Sequence, residues 1–182
     1  SDRYVDLYGY INSGQVVNVA RKMDILASQL YHQSVSYDTL FKMARNKSDM
    51  LSHIPAIFPL KETEIKYISS YFGHRPDPIY KITKFHSGMD FSAQLGTEAY
   101  ATGDGIVCNV EKGHWGYGNM ITIDHGFGYK TRYAHLQKAI VRKGQKVKRG
   151  QHIGFIGNTG KTTGVHLHYE VLKNDVPINP IN

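Results

Sequence analysis

The chain has 182 residues, 41% of them hydrophobic and 20% charged, enough for one good-sized domain with an appendage and too apolar for wholesale disorder. Its single cysteine, Cys108, excludes an intrachain disulfide framework and a cysteine-based structural zinc site, and no run of about 18 apolar residues is present to span a membrane. Lys and Arg outnumber Asp and Glu by 22 to 15, and the resulting +7 favours anionic partners: nucleic acid, a lipid surface or an acidic wall polymer.

Glycine divides the chain. Of 18 glycines only Gly9 and Gly14 precede residue 60. Helices tolerate glycine poorly and tight hairpins need it, so a helical region over 1–60 and a strand-and-turn domain over 61–182 are predicted. The fold class is α+β by content, an N-terminal helical region followed by a mainly antiparallel β domain. Val16, Val19, Met23, Leu26 and Leu30 are spaced 3, 4, 3, 4, an a/d seam that continues less cleanly through Tyr37, Leu40, Ala44 and Leu51. Residues 34–38 are poor helix interior and Ser36 is a fair N-cap, so two helices with a break near 34–36 are favoured, ended by Pro55 and Pro59. The seam would either pack on the chain's own domain or a second helix, or form a coiled-coil stub that self-associates or docks a partner.

From about Lys66 short strand patterns follow one another. Residues 106–110, 119–123, 130–134 and 165–171 are each bounded by Gly, Asp or Asn. Asp104-Gly105 and Asn174-Asp175 read as hairpin turns. A repeated valine-turn-glycine rhythm over Val141 to Gly154 suits the bends of a small, strongly curved sheet.

Histidine supplies the chemistry. In His166-Leu167-His168 the strand period points both imidazoles to one face while Leu167 turns into the core. In His86-Ser87-Gly88-Met89-Asp90 an imidazole and a carboxylate, both ordinary zinc ligands at roughly 2.0–2.2 Å, lie on an extended or turning segment. His86, Asp90 and one histidine of the pair would make three protein ligands with a fourth position open for water, as catalytic zinc requires. His135 follows a strand and can reach a site at the sheet's end. The other six histidines read otherwise: His125 as a turn residue, His32 and His53 as helical, and His74, His114 and His152 as exposed or structural.

With these residues on the page, the segment from Phe72 to the C-terminus resembles the lysostaphin/LytM-type zinc metallopeptidases that cut peptidoglycan cross-links. The matching pieces are Phe72-Gly73-His74-Arg75, His86-Ser87-Gly88-Met89-Asp90, Gly116-Tyr117-Gly118-Asn119, His125-Gly126, Tyr133-Ala134-His135-Leu136, Gly150-Gln151-His152-Ile153-Gly154 and residues 163–170 around His166 and His168. Val165 departs from the proline many members have there. The resemblance implies curved sheets of the duplicated-hybrid-motif type around a groove holding one Zn2+ per chain. It implies His86, Asp90 and His168 as metal ligands, and His135 and His166 as catalytic histidines that do not bind the metal. Glu170 falls on the face of His166 and His168, where it would orient an imidazole or simply face solvent; Tyr133 and Asn119 are candidates for substrate hydrogen bonds. The helical third resembles, less specifically, membrane-proximal helices of Gram-negative envelope members. That implies a membrane anchor ahead of Ser1 and a periplasmic site of action.

The expected partner is the peptide stem of peptidoglycan, with no nucleic acid, since no nucleic-acid-binding motif accompanies the charge. Lys138, Arg142, Lys143, Lys146, Lys148 and Arg149 read as a solvated hairpin face or as a hold on cell wall. Two rivals remain open: a non-catalytic wall-binding or hydrolase-activating domain of the same fold, and a histidine phosphocarrier or lipoyl-like β domain.

Overall fold

The computed structural model describes residues 5–7, 12–76 and 83–181. The chain forms two compact units, Ser1–Ser48 and Asp49–Asn182.

Helix α1 runs without interruption over Ser13–His53, so the break expected near 34–36 does not occur. No glycine or proline lies between Gly14 and Pro55. Interior serines cost only about half a kcal/mol each in propensity, less than the backbone hydrogen bonds a break would forfeit. Thr39 instead turns its hydroxyl back and donates to the Val35 carbonyl at 2.9 Å, keeping its polar group inside the helix. The seam residues Val16, Val19, Met23, Leu26 and Leu30 are exposed.

In the second unit, the last carbonyls of α1 are satisfied by side chains and loops of the β domain. The Arg149 guanidinium donates to the Leu51 carbonyl and, at 2.9 Å, to that of Ile54, and the Asp104 amide donates to the Ser52 carbonyl at 2.9 Å. Asp104 in turn accepts from the Arg149 amide at 2.8 Å and the Lys148 ammonium at 2.7 Å. Part of the basic cluster is thus structural.

Among the described residues twelve strands follow: β1 (Tyr67–Ser70), β2 (Gly73–Pro76), β3 (Thr83–His86), β4 (Met89–Ser92), β5 (Glu98–Tyr100), β6 (Gly105–His114), β7 (Gly118–Gly126), β8 (Tyr129–Ala139), β9 (Lys146–Val147), β10 (His152–Ile156), β11 (His166–Lys173) and β12 (Val176–Ile178). Ten form one antiparallel sheet along the path β1-β4-β11-β8-β7-β6-β9, with β12 beside β11, and β10 joining β5 to β8. β2 and β3 pair apart as a two-stranded sheet. Alternate residues of the long strands (Ile121, Ile123, Leu167, Tyr169, Val171) point into one core with Met89, Phe91, Ile153 and Ile156.

Asn174 and Asp175, at φ +49° and +62°, close β11 onto β12 as a two-residue turn with both central residues left-handed. Asp104-Gly105 is no hairpin turn, because β5 pairs with β10 while β6 pairs with β7 and β9. Gly105 is needed for close approach: a Cβ there would lie 2.5 Å from the Asp124 carbonyl.

Candidate active site

Strand pairing builds the centre. β4 and β11 are antiparallel neighbours in a register that sets Asp90 opposite His168, and β3 delivers His86 at its end. The His168 Nδ1 lies 2.8 Å from Asp90 Oδ1, the His86 Nε2 lies 3.3 Å from the same oxygen, and the two nitrogens are 3.1 Å apart. All three residues are buried. Among the described residues this is the one group of His, Cys, Asp and Glu whose ligand atoms converge tightly enough to hold a metal ion.

The outer partners of the two imidazoles fix which nitrogens are bare. His86 Nδ1 sits 2.8 Å from the Tyr71 carbonyl, which can only accept, so Nδ1 carries the proton. His168 Nε2 donates to Glu170 Oε1 at 3.0 Å. Burial alone would raise the Glu170 carboxyl, but hydrogen bonds from His168, Ser87 and Tyr117 outweigh it and hold the group down at about 2, an ionised acceptor. His86 Nε2, His168 Nδ1 and Asp90 Oδ1 therefore turn lone pairs toward one point, an arrangement that repels unless a cation is shared. Zinc ligands at about 2.0–2.1 Å in a tetrahedron stand about 3.3 Å from one another. The donor set and its spacing fit that ion.

Glu170 is fully buried, so it does not face solvent. Its Oε1 accepts from His168, from the Ser87 hydroxyl and, at 2.9 Å, from Tyr117 Oη, while Oε2 pairs with Arg132 Nη1 at 3.0 Å. Arg132 stands directly across the β8–β11 ladder from Glu170. Gly88 allows this packing: a Cβ there would be 2.3 Å from the Tyr169 carbonyl and 2.9 Å from Glu170 Cγ.

His135 reaches the centre by a backbone irregularity. β7 pairs Asn119 with Leu136 but Ile121 with Tyr133, so β8 carries an extra residue there, and His135 itself is left-handed at φ +59°. Its amide donates to the Tyr117 carbonyl at 2.8 Å. The ring lies 4.7 Å from that of His166 and 5.9 Å from that of His168. Burial, aided by the two neighbouring imidazoles, lowers His135 to about 4, although the Thr159 carbonyl pulls the other way. Nδ1–H donates to that carbonyl at 2.8 Å, leaving Nε2 bare. His166 donates from Nδ1 to the Gly164 carbonyl at 2.9 Å, and its Nε2 is 3.7 Å from Asp90 Oδ1.

A cleft of about 480 Å3 opens over these five residues. Arg75, His114, Trp115, Tyr117 and Thr162 also line it, and Trp115 is 85% exposed. His114 thus belongs to the cleft wall, which its sequence context did not signal. Tyr133 does not reach the cleft: it is fully buried and its hydroxyl meets the Thr102 amide at 3.0 Å. Asn119 is a structural pin, its amide group donating to the Leu136 and Gln137 carbonyls at 3.0 and 3.1 Å and its Oδ1 accepting from Gly113. His125 is no turn residue. It lies buried in β7, bridging the Asp104 carbonyl at 2.8 Å and Thr131 Oγ1 at 2.7 Å.

The profile of Peptidase family M23 matches residues 84–180, more than half of the chain and all five residues of the centre. The chain belongs to family M23. Over 165 residues, 91% of its length, it is 36% identical to the peptidoglycan DD-endopeptidase ShyA of Vibrio cholerae, and it spans 36% of that relative's own length. A solved structure, a zinc containing peptidase from Vibrio cholerae, superposes with a TM-score of 0.62 at 42% identity, covering 69% of this chain and 38% of that one. The catalytic domain of lysostaphin from Staphylococcus simulans superposes with a TM-score of 0.57 at 31% identity, covering 63% of this chain and 89% of that one. The M23 domain here is accordingly a lysostaphin-like, mostly antiparallel β domain preceded by one long helix.

Proposed function

We propose that this M23 domain is a zinc-dependent endopeptidase that hydrolyses peptide cross-links of peptidoglycan, with His86, Asp90 and His168 as ligands of one Zn2+ and His135 and His166 handling protons. The observation that carries the reading is the convergence of three donor atoms, the two imidazoles among them fixed from behind, on the floor of an open cleft. The peptidoglycan DD-endopeptidase named ShyA, as a relative, supports the substrate class, and we propose the cell envelope as the site of action.

When bound, the zinc ion would acidify a water molecule and polarise the scissile carbonyl. The chain's own residues do the rest. His135 stays neutral at pH 7 and keeps Nε2 bare, so it accepts the proton of the attacking water. His166, 4.7 Å away ring to ring, faces the same space and serves the oxyanion and the leaving amine as a donor from Nε2 once protonated. Ser87, Tyr117, Arg132 and Glu170 hold the His168 ring in the tautomer that presents Nδ1.

The experiment is digestion of purified sacculi, with the released muropeptides identified by mass and zinc counted in the same preparation. About one zinc per chain together with cleaved cross-links is the expected result. Zinc without any cleaved peptide bond would reduce the chain to a wall-binding domain, and absence of bound zinc would end the reading altogether.

A further inference from the structure

We infer that Arg75 is a positioning residue for the metal centre: it holds Asp90 so that one carboxylate oxygen faces the imidazoles and the other is kept away from them. The inference rests on the reading of His86, Asp90 and His168 as metal ligands. Arg75 lies ahead of the residues that match the family profile, 84–180, and no step of the proposed chemistry uses it.

The β2–β3 hairpin sets Gly73 opposite His86, His74 opposite Phe85 and Arg75 opposite Lys84. Side chains alternate along a strand, so Arg75 shares a face with His86, while His74 and Phe85 meet edge to face on the other, ring centroids 5.3 Å apart. Gly73, at φ +115°, holds a left-handed backbone that other residues rarely adopt. One small hairpin thus brings a ligand and a guanidinium together at the same cleft wall.

The two oxygens of Asp90 have different surroundings. Oδ1 is the atom 2.8 Å from His168 and 3.3 Å from His86, with His166 at 3.7 Å. Oδ2 faces Arg75 Nη2 at 3.5 Å. The Arg75 Nε is buried without a hydrogen-bond partner, so no bond at that nitrogen fixes the guanidinium; its charge is directed at the carboxylate. A carboxylate attracted from one side by Arg75 would offer a metal ion a single oxygen in a fixed direction. Without Arg75, Oδ2 is free to rotate and Oδ1 no longer has one orientation.

The test is Zn2+ affinity, measured by competition with a chromogenic chelator on the purified chain, for wild type, Arg75→Gln and Arg75→Lys, with thermal melting to confirm that each is folded. A loss of about 10–100-fold in affinity is expected for Arg75→Gln, with a smaller loss for Arg75→Lys, which keeps the charge. At saturating Zn2+ the KM for a cross-linked muropeptide should stay within about twofold of wild type, the defect appearing in kcat. Unchanged Zn2+ affinity in a folded Arg75→Gln protein overturns the inference. Unchanged affinity with a raised KM also overturns it, by assigning Arg75 to the substrate. If Arg75→Gln fails to fold, Arg75→Lys carries the same comparison, a measurable weakening supporting the inference and wild-type affinity overturning it. A wild-type chain that holds no Zn2+ would remove the metal reading beneath it, an outcome distinct from any difference between variants.

Discussion

Asp90 and His168 face each other across the β4–β11 ladder, Oδ1 to Nδ1 at 2.8 Å, although 77 residues separate them in the chain. Their contact is set by strand register, and a buried carboxylate and imidazole in this relation draw positive charge to the space between them. Burial would lower the His168 imidazole, but Asp90 and Glu170 outweigh it and, with no metal ion present, lift it to about 9, so the proton Nδ1 shares with Asp90 is the one a bound metal ion would displace. Replacing His168 with Ala should therefore abolish stoichiometric zinc and peptide-bond cleavage together, read by elemental analysis and muropeptide release. Cleavage at wild-type rate by a zinc-free His168→Ala protein would refute the assignment.

His135 and His166 should separate metal from turnover. In His135→Ala or His166→Ala the three ligands keep their contacts, so zinc content should remain near one per chain while kcat falls about 10²–10⁴-fold, the usual worth of a general acid or base. The check is steady-state kinetics on a cross-linked muropeptide alongside metal analysis of the same samples.

Glu170→Gln tests the support behind His168. A glutamine oxygen can still accept from His168 Nε2, but its NH2 would then face Arg132, which only donates. Zinc affinity should weaken about 10–100-fold with the fold retained, measured by chelator competition and circular dichroism. Equal affinity would show that the carboxylate contributes packing alone.

His125 makes stability depend on pH. Burial pushes its imidazole below the ordinary value of 6.5, against the pull of the Asp104 carbonyl, so the folded state favours the neutral ring. Below about pH 6.5 the unfolded chain takes up a proton that the folded chain resists. The stabilising difference is complete above that pH and is lost progressively as pH falls toward the depressed folded value, about 1.4 kcal/mol for each unit of displacement. Denaturant midpoints at pH 8 and pH 5 should differ in that direction, and the difference should shrink in His125→Gln.

What could be read from the sequence followed simple periods. The two-residue alternation of His166, His168 and Glu170 places all three on one face without any coordinates, and the glycine asymmetry separates helix from sheet. What depended on register could not be read so directly. Tyr133 and Asn119 sit within family motifs, yet one turns into the core and the other is consumed by backbone carbonyls. Arg75 could be placed near Asp90 only once the β2–β3 pairing was known. A signal for His135 was present: Tyr133 and Leu136 are both fully buried but three apart, a spacing that a regular strand cannot satisfy. Helix α1 departs from its local signal in the other direction, because weak propensity at 34–36 is outweighed by continuous backbone bonding.

The left-handed backbone at His135 limits how this centre could be transplanted. A flat segment bearing the same letters would aim that imidazole inward with its neighbours. Anyone grafting the five side chains onto another sheet must carry this kink along with them, since an ordinary pleat would turn the His135 imidazole away while leaving the other four in place.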